Sequence, residues 1–159
     1  MFSREELEAA HDHFLALGRA AQDSGDWGPY CDQFTEDAVY VEHFLGTMHG
    51  RAEIKKWLTT AMSVWPQMTF PLRWRIFDEQ QGLVVFSVGN DMPDVDGNGP
   101  YSVESWQLLH YAGNNQWSRE EDIYNPDTML KMLGRWCEAA GVDFPAVTEA
   151  RAEQAASQT

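Results

Sequence analysis

The sequence predicts one α+β domain with the element order ααβαββββα, and two patterns support this prediction. Apolar residues recur every three or four positions in the first third of the chain and again near its end, which indicates amphipathic helices. Between residues 70 and 124 apolar and polar residues alternate, which indicates antiparallel strands. The domain is expected to end near residue 140, before a polar, Ala-rich tail over residues 141–159.

Capping residues and prolines define four predicted helices. The helices cover residues 3–22, 26–34, 54–65 and 125–137. Ser3 and Glu6 form a capping box before the first helix, and Asp26 can cap the second. Pro66 stops the third helix, and Asn125 can cap the last.

Five strands are predicted from alternation and β-branched residues. They cover residues 38–44, 70–76, 84–92, 101–112 and 116–124. The first strand, AVYVEHF, ends at the turn-rich sequence GTMHG. In the second strand Phe70, Leu72, Trp74 and Ile76 alternate with polar residues, so we expect these four side chains to face the core.

The charge balance excludes several classes of partner. The chain has 25 Asp and Glu against 11 Lys and Arg, for a net charge of −14. This excess opposes both the phosphates of nucleic acids and anionic membrane surfaces. The N-terminal sequence MFSREELEAA does not resemble a signal peptide, and no apolar run is long enough to span a membrane. The sequence therefore predicts a cytoplasmic protein that binds neither nucleic acid nor membranes.

Metal and cofactor motifs are not found in the sequence. Cys31 and Cys137 lie far apart without CxxC spacing, which is typical of two packed thiols. The sequence DVDGNG mimics the start of a calcium loop, but Ser105 occupies the twelfth position, where a bidentate Glu is needed. We therefore predict a hairpin turn there and an activity without metal or cofactor.

Two strands place ionisable residues on common faces. Tyr40 and Glu42 share one face of the first strand, and Glu120, Asp122 and Tyr124 share one face of the last. If both faces point inward, carboxyls and phenols meet across an apolar cavity. Burial and mutual repulsion then raise carboxyl pKa values, which suits general acid and base catalysis near neutral pH.

Two structural alternatives stay open at this point. The last strand could instead turn Arg119 and Glu121 inward, with Glu120 and Asp122 in solvent. Alternatively, Glu42 or Asp122 could simply pair with an arginine such as Arg73 or Arg75 in the fold.

The element order, with FTEDAVYVEHF, GTMHGRAEI and REEDIYNP, resembles the nuclear transport factor-like superfamily over about residues 3–138. Its members include ketosteroid isomerase, scytalone dehydratase, limonene epoxide hydrolase and the SnoaL-like polyketide cyclases. The resemblance implies a cone-shaped fold in which a curved, mostly antiparallel sheet wraps around helices and encloses one apolar pocket. It also implies a homodimer, because dimers are frequent in the family.

The resemblance also implies roles for individual residues. Glu42 falls where ketosteroid isomerase has its general base, and Tyr40 matches the water-holding tyrosine of limonene epoxide hydrolase. Asp122 and Asn90 fall on the two carboxylates of that hydrolase. We therefore predict Glu42, Asp122 and Tyr40 as catalytic residues.

Two departures prevent direct transfer of either activity. Val88 occupies the place of the hydrolase's arginine. The oxyanion-holding acid of the isomerase would fall at Gln107, or at Trp106 if the turn is one residue out.

The sequence thus predicts a cofactor-independent acid–base enzyme of the dehydratase, isomerase or cyclase type. Its substrate is expected to be a small, apolar, oxygenated molecule such as a terpenoid, steroid or polyketide fragment. An epoxide hydrolase and a non-catalytic ligand-binding or assembly domain are the alternatives. The residues predicted to bind the substrate are Tyr124, Asn90, Trp57, Trp74, Phe86, Val88, Trp106 and His43.

Overall fold

The computed structural model describes residues 1–145, which form four helices and six strands. The helices are α1 (Arg4–Ser24), α2 (Gly28–Cys31), α3 (Arg51–Val64) and α4 (Pro126–Ala140). The strands are β1 (Phe34–Glu42), β2 (Gly46–His49), β3 (Leu72–Asp78), β4 (Leu83–Met92), β5 (Tyr101–Gly113) and β6 (Gln116–Ile123). The predicted α+β class is confirmed.

The strands form one curved, unclosed sheet in the order β2-β1-β6-β5-β4-β3. The pairs are antiparallel except β1 and β6, which run parallel. The first and last long strands therefore lie side by side in the middle of the sheet. This pairing brings the two polar strands of the sequence together.

The sequence prediction differs from the structure at two places near the N-terminal third. GTMHG was expected to be a turn, but it contains β2, which pairs with β1 and buries Met48. Phe34 was expected in the second helix but begins β1, because α2 ends after one turn. Helical spacing alone did not distinguish these outcomes, since a short apolar run fits both elements.

The caps of α1 and α4 are the predicted residues, whereas the predicted cap Asp26 was wrong, because α2 begins after Trp27. Ser3 accepts a hydrogen bond from the backbone N–H of Glu6 at 3.1 Å, and Asn125 accepts one from Thr128 at 3.2 Å. Gly141 ends α4 in the left-handed conformation, which glycine adopts without strain. The predicted tail begins there, and its residues 146–159 lie outside the described residues.

The main core fills the space between the concave face of the sheet and α1, α2 and α3. Its largest fully buried side chains include Trp117, Phe34 and Phe86. A second apolar cluster joins α4 to the β4–β5 end of the sheet. Among the described residues, no helix is long and apolar enough to cross a membrane.

Candidate active site

A cavity of about 510 Å³ lies between the concave sheet face and helices α1, α3 and α4. Its size is in the range of small-molecule sites. Aromatic and aliphatic side chains form most of the wall, and β1 and β6 supply three carboxyls and a phenol. The ionisable and phenolic residues that line it are Tyr40, Glu42, Glu120, Asp122 and Tyr124 on the sheet side, Tyr30 of α2, and Arg19 and Asp23 of α1.

Strand pairing explains why these groups meet. Glu42 pairs with Asp122 and Tyr40 pairs with Glu120 across the parallel β1–β6 ladder. Alternate residues of a strand share a face, so all four side chains point to the cavity. The expectation that the two acids face each other across the hollow was wrong, because Glu42 and Asp122 are lateral neighbours on adjacent strands.

Glu42 lies at the end of β1 with 4% of its surface exposed. Its Oε2 atom accepts hydrogen bonds from the backbone N–H groups of Phe44, at 2.9 Å, and Leu45. Burial raises the pKa of the Glu42 carboxyl, while hydrogen bonds from Tyr124, Leu45 and Phe44 oppose that rise. The tight turn after β1 thus supplies two donors to this carboxyl, and Tyr124, directly after β6, supplies a third.

Asp122 is the second acid of the cavity. The Tyr40 hydroxyl donates to its Oδ2 atom at 2.7 Å, while Oδ1 is buried and makes no hydrogen bond within residues 1–145. Burial raises the pKa of Asp122 to about 7, with the Glu42 charge adding to it and the Tyr40 hydrogen bond opposing it. This carboxyl is therefore poised to exchange a proton near neutral pH.

Glu120 is the most deeply buried of the three acids, with 1% of its surface exposed. The Tyr30 hydroxyl donates to it over a long distance of 3.5 Å, and Tyr40 is its other phenol neighbour. Burial, and then the nearby Asp122 charge, raise the pKa of Glu120 well above its ordinary value. The site therefore contains three acids in three different environments.

Among residues 1–145, no arginine forms an ion pair with these acids. Arg73 pairs with Asp91 at 2.7 Å, Arg75 with Asp12, and Arg119 with Glu121 at 2.7 Å. The alternative in which Arg119 and Glu121 face the cavity was wrong, as was the pairing of Glu42 or Asp122 with Arg73 or Arg75. The described residues also contain no group of three side chains that could hold a metal ion.

Several residues predicted to bind the substrate line the cavity, namely Tyr124, Trp57, Phe86, Val88 and Asn90. Trp57 packs against Tyr40, with ring centroids 5.0 Å apart. Both amide hydrogens of Asn90 are already used, since Nδ2 donates to Val103 and Ser105 at 3.0 Å each. The positions fit the prediction, while the binding roles themselves stay predictions.

The other three predicted residues lie outside the cavity, so these assignments were wrong. A bulge in β3 between Leu72 and Trp74 shifts the register, which turns Trp74 to the convex face and Phe77 to the core. Trp106 packs edge-on against Trp74 there with 54% of its surface exposed. His43 follows the inward Glu42 and so points outward, with Nε2 2.7 Å from the Glu121 carboxylate.

Tyr30 and Gln107 are among the polar residues of the cavity that were not assigned to the site from sequence. Tyr30 in α2 reaches Glu120, and Gln107 in β5 lines the cavity as the register partner of Asp122. Tyr30 gave no sequence signal, because its helical spacing is that of any core aromatic. Gln107 could have been found from sequence, because alternation along β5 turns either Gln107 or Trp106 inward, and a correctly placed turn before β5 gives Gln107.

Several solved structures have folds similar to that of this chain at low sequence identity. A protein with a ketosteroid isomerase-like fold from Catenulispora acidiphila, solved with trimethylamine, is 20% identical, with a TM-score of 0.58 over 76% of this chain and 92% of that one. The epoxide hydrolase/cyclase-like enzyme SalBIII, which has a role in pyran ring formation in the polyether salinomycin, is 11% identical, with a TM-score of 0.62 over 79% and 95%. A steroid delta-isomerase from Pseudomonas aeruginosa is 14% identical, with a TM-score of 0.56 over 83% and 94%. No curated protein matches the chain.

These likenesses, with the open sheet and its enclosed cavity, define a cone-shaped domain of the nuclear transport factor-like fold. The SnoaL-like domain family matches residues 13–119, which is more than half of the chain. The chain therefore belongs to the SnoaL-like domain family, and the predicted resemblance is confirmed.

Proposed function

We propose that this protein is a cofactor-independent acid–base enzyme of the dehydratase, isomerase or cyclase type. Its substrate would be a small, largely apolar, oxygenated molecule that fits a cavity of about 510 Å³. One observation supports this most strongly: Asp122 has a buried Oδ1 atom without a hydrogen bond and a pKa raised to about 7. A structural carboxyl in a core is normally fully paired.

The proposed roles follow from the hydrogen bonds. Glu42 is the base, because two backbone N–H groups and Tyr124 stabilise its carboxylate. Asp122 is the acid, because its pKa is raised to about 7 and, with Oδ2 accepting from Tyr40, Oδ1 is left to carry the proton. Proton removal beside a carbonyl at Glu42, with proton delivery to the developing oxyanion by Asp122, accounts for elimination, double-bond migration or ring closure.

Deuterium exchange tests this proposal without knowledge of the natural substrate. Cyclic ketones are first selected by quenching of the tryptophan fluorescence, since Trp27, Trp57 and Trp65 line the cavity. NMR in D2O then measures exchange of the protons beside the carbonyl. We expect the wild-type protein to catalyse exchange, and Glu42→Gln and Asp122→Asn each to slow it by about 100-fold, the usual contribution of one acid or base.

The matched control is Glu121→Gln, which changes an acid on the opposite face of β6 next to Asp122. This variant should exchange protons at the wild-type rate. Ketones that bind in the cavity but show no exchange above that of buffer would overturn the enzymatic proposal and favour a ligand-binding domain. Equal rates for wild type, Glu42→Gln and Asp122→Asn would also overturn it.

Epoxide opening is a second candidate, favoured by the raised pKa of Asp122, since epoxide opening requires an acid that still holds a proton near neutral pH. The similar fold of the epoxide hydrolase/cyclase-like enzyme SalBIII adds support. Asn90 would not hold the water, because its amide hydrogens are used; Glu42 would accept the water proton instead. Formation of a diol or cyclic ether from a bound epoxide, lost in Asp122→Asn, would support this candidate.

A further inference from the structure

We infer that Glu120 is a protonated positioning residue whose carboxyl proton holds the Tyr40 hydroxyl on Asp122. The result is a directed hydrogen-bond chain from Glu120 through Tyr40 to Asp122. The inference concerns a residue that the proposed chemistry does not use, and its consequence for catalysis rests on the proposed function of Asp122.

Tyr40 is the strand neighbour of one acid, Glu120, and the hydrogen-bond donor to another, Asp122. Tyr40 pairs with Glu120 across the β1–β6 ladder, and its hydroxyl donates to Asp122 Oδ2 at 2.7 Å. A phenol has one hydrogen, so once it donates to Asp122 it can only accept from Glu120. Glu120 can donate only in its protonated form. An ionised Glu120 would compete with Asp122 for the same hydrogen.

The surroundings of Glu120 fit the neutral acid. Glu42 shows what a carboxylate receives in this protein, namely two backbone N–H groups and a phenol. Among residues 1–145, Glu120 receives no backbone N–H, and its phenol neighbours are Tyr30, at 3.5 Å, and Tyr40, whose hydrogen is directed to Asp122, although Glu120 is more deeply buried than Glu42. A buried charge without good donors is far more costly than a buried neutral acid.

Apart from hydrogen bonds of Tyr40 and Tyr30, which favour the ionised form less than burial opposes it, the groups around Glu120 do not favour its ionisation. Tyr30 and Cys31 of α2 and Asp122 of β6 are neutral or acidic, and on β5 the residue paired with Glu120 is the apolar Leu109. Among residues 1–145, no lysine or arginine forms an ion pair with Glu120. Burial and the Asp122 charge both raise the pKa of Glu120, which agrees with a protonated carboxyl.

This directed chain selects the oxygen of Asp122 that exchanges protons. Because Tyr40 is held on Oδ2, a proton on Asp122 must reside on Oδ1, the atom without another partner. Glu120 therefore sets which oxygen of Asp122 carries the proton, although it does not need to touch the ligand.

Titration of Asp122 tests the inference independently of turnover. The carboxyl carbon of Asp122 is followed by NMR in protein labelled with ¹³C-aspartate. Glu120→Gln keeps a neutral donor next to Tyr40, so the titration midpoint of Asp122 should stay at its wild-type value. Glu42→Gln shows the effect of removing a neighbouring negative charge. It should lower the titration midpoint of Asp122, because the Glu42 charge raises the pKa of Asp122.

A third variant removes the donor. Glu120→Leu frees the Tyr40 hydroxyl to leave Asp122, so the midpoint should rise by about one pH unit, the usual effect of one such hydrogen bond. A fall of the midpoint in Glu120→Gln as large as in Glu42→Gln would show that Glu120 carries a charge and would overturn the inference.

An infrared measurement covers the case in which Glu120→Leu does not fold. At about pH 8, where ordinary carboxyls are ionised, the wild-type protein should show the C=O band of a protonated acid. This band should be lost in Glu120→Gln and retained in Glu121→Gln. Its absence from the wild type would overturn the inference. Neither measurement depends on proton exchange with a ketone, so failure of the proposed function would be seen separately.

Discussion

Neighbouring residues of β6 show how strongly position determines the chemistry of a carboxyl. Glu120 faces the cavity, and burial raises its pKa, whereas Glu121 faces outward, and hydrogen bonds from Arg119 and His43 lower its pKa. The two side chains are chemically identical, and only the alternation of the strand separates them. A site that needs a carboxyl protonated near neutral pH can thus be built from ordinary residues.

The raised pKa of Asp122 predicts a pH dependence of stability. The folded protein holds this proton up to about pH 7, whereas the unfolded chain releases it near pH 4, so the folded state binds more protons between those values. The stabilisation is complete below the unfolded pKa and is lost as the pH rises toward 7. The free energy of unfolding of the wild type should therefore fall from pH 4 to pH 7 relative to that of Asp122→Asn, which has no carboxyl to titrate.

Urea unfolding at half-unit pH steps measures this difference. Glu121→Gln is the control, because a lowered pKa changes stability only below the ordinary carboxyl range. Parallel curves for wild type and Asp122→Asn between pH 4 and pH 7 would contradict a raised pKa at Asp122.

Residue positions within the site were predicted as far as strand parity allowed. Tyr40, Glu42, Asp122 and Tyr124 all line the cavity, because a two-residue period fixes their common face once one of them is placed. Tyr30 was not assigned to the site, since its contact with Glu120 spans ninety residues of sequence. Patterns within a few residues cannot predict a contact between residues so far apart in the sequence.

At the scale of elements, β3 shows where alternation fails. Phe70 and Leu72 line the cavity as predicted, but the bulge after Leu72 sends Trp74 and Ile76 to the outer face. The inserted residue is Arg73, which pairs with Asp91 on that face. An apolar residue at every second position gave no sign of the bulge, because the outer face here also carries apolar residues.

Helix α4 offers a test of a predicted cap, and it matters to the site because Met129, Leu130 and Leu133 close one side of the cavity. Asn125 accepts the hydrogen bond of Thr128, so Asn125→Ala should lower the free energy of unfolding by about 1 kcal/mol. Asn125→Asp, which keeps an acceptor, should unfold close to the wild-type midpoint in urea. A similar loss in both variants would contradict the capping role.

At the scale of the whole molecule, the convex face of the sheet exposes large apolar side chains. Ile76 is 62% exposed, Trp106 54% and Ile123 49%, and Trp74 packs beside Trp106. Contiguous exposed apolar surface of this kind is typical of protein interfaces. The homodimer expected from the family resemblance therefore stays a prediction, and we propose this face as its contact.

Sedimentation measures the predicted dimer directly. The wild-type chain should sediment at twice its 18.1 kDa mass, and Trp106→Glu should sediment as a monomer because it places a charge on the proposed contact. Val95→Glu, on the exposed β4–β5 turn, introduces the same charge elsewhere and should leave the dimer intact. A wild-type monomer at high concentration would contradict the prediction.

The class of the domain, most of its helices and long strands, and the common face of each pair of polar residues were predictable, because these depend on periodicities and caps within a few residues. The pairing of β1 with β6, the bulge in β3 and the lack of backbone donors to Glu120 among residues 1–145 became visible only in the folded chain. Those features depend on contacts between segments far apart in the chain. Tertiary packing therefore sets the pKa values of the acidic groups, while the groups themselves can be identified in the sequence.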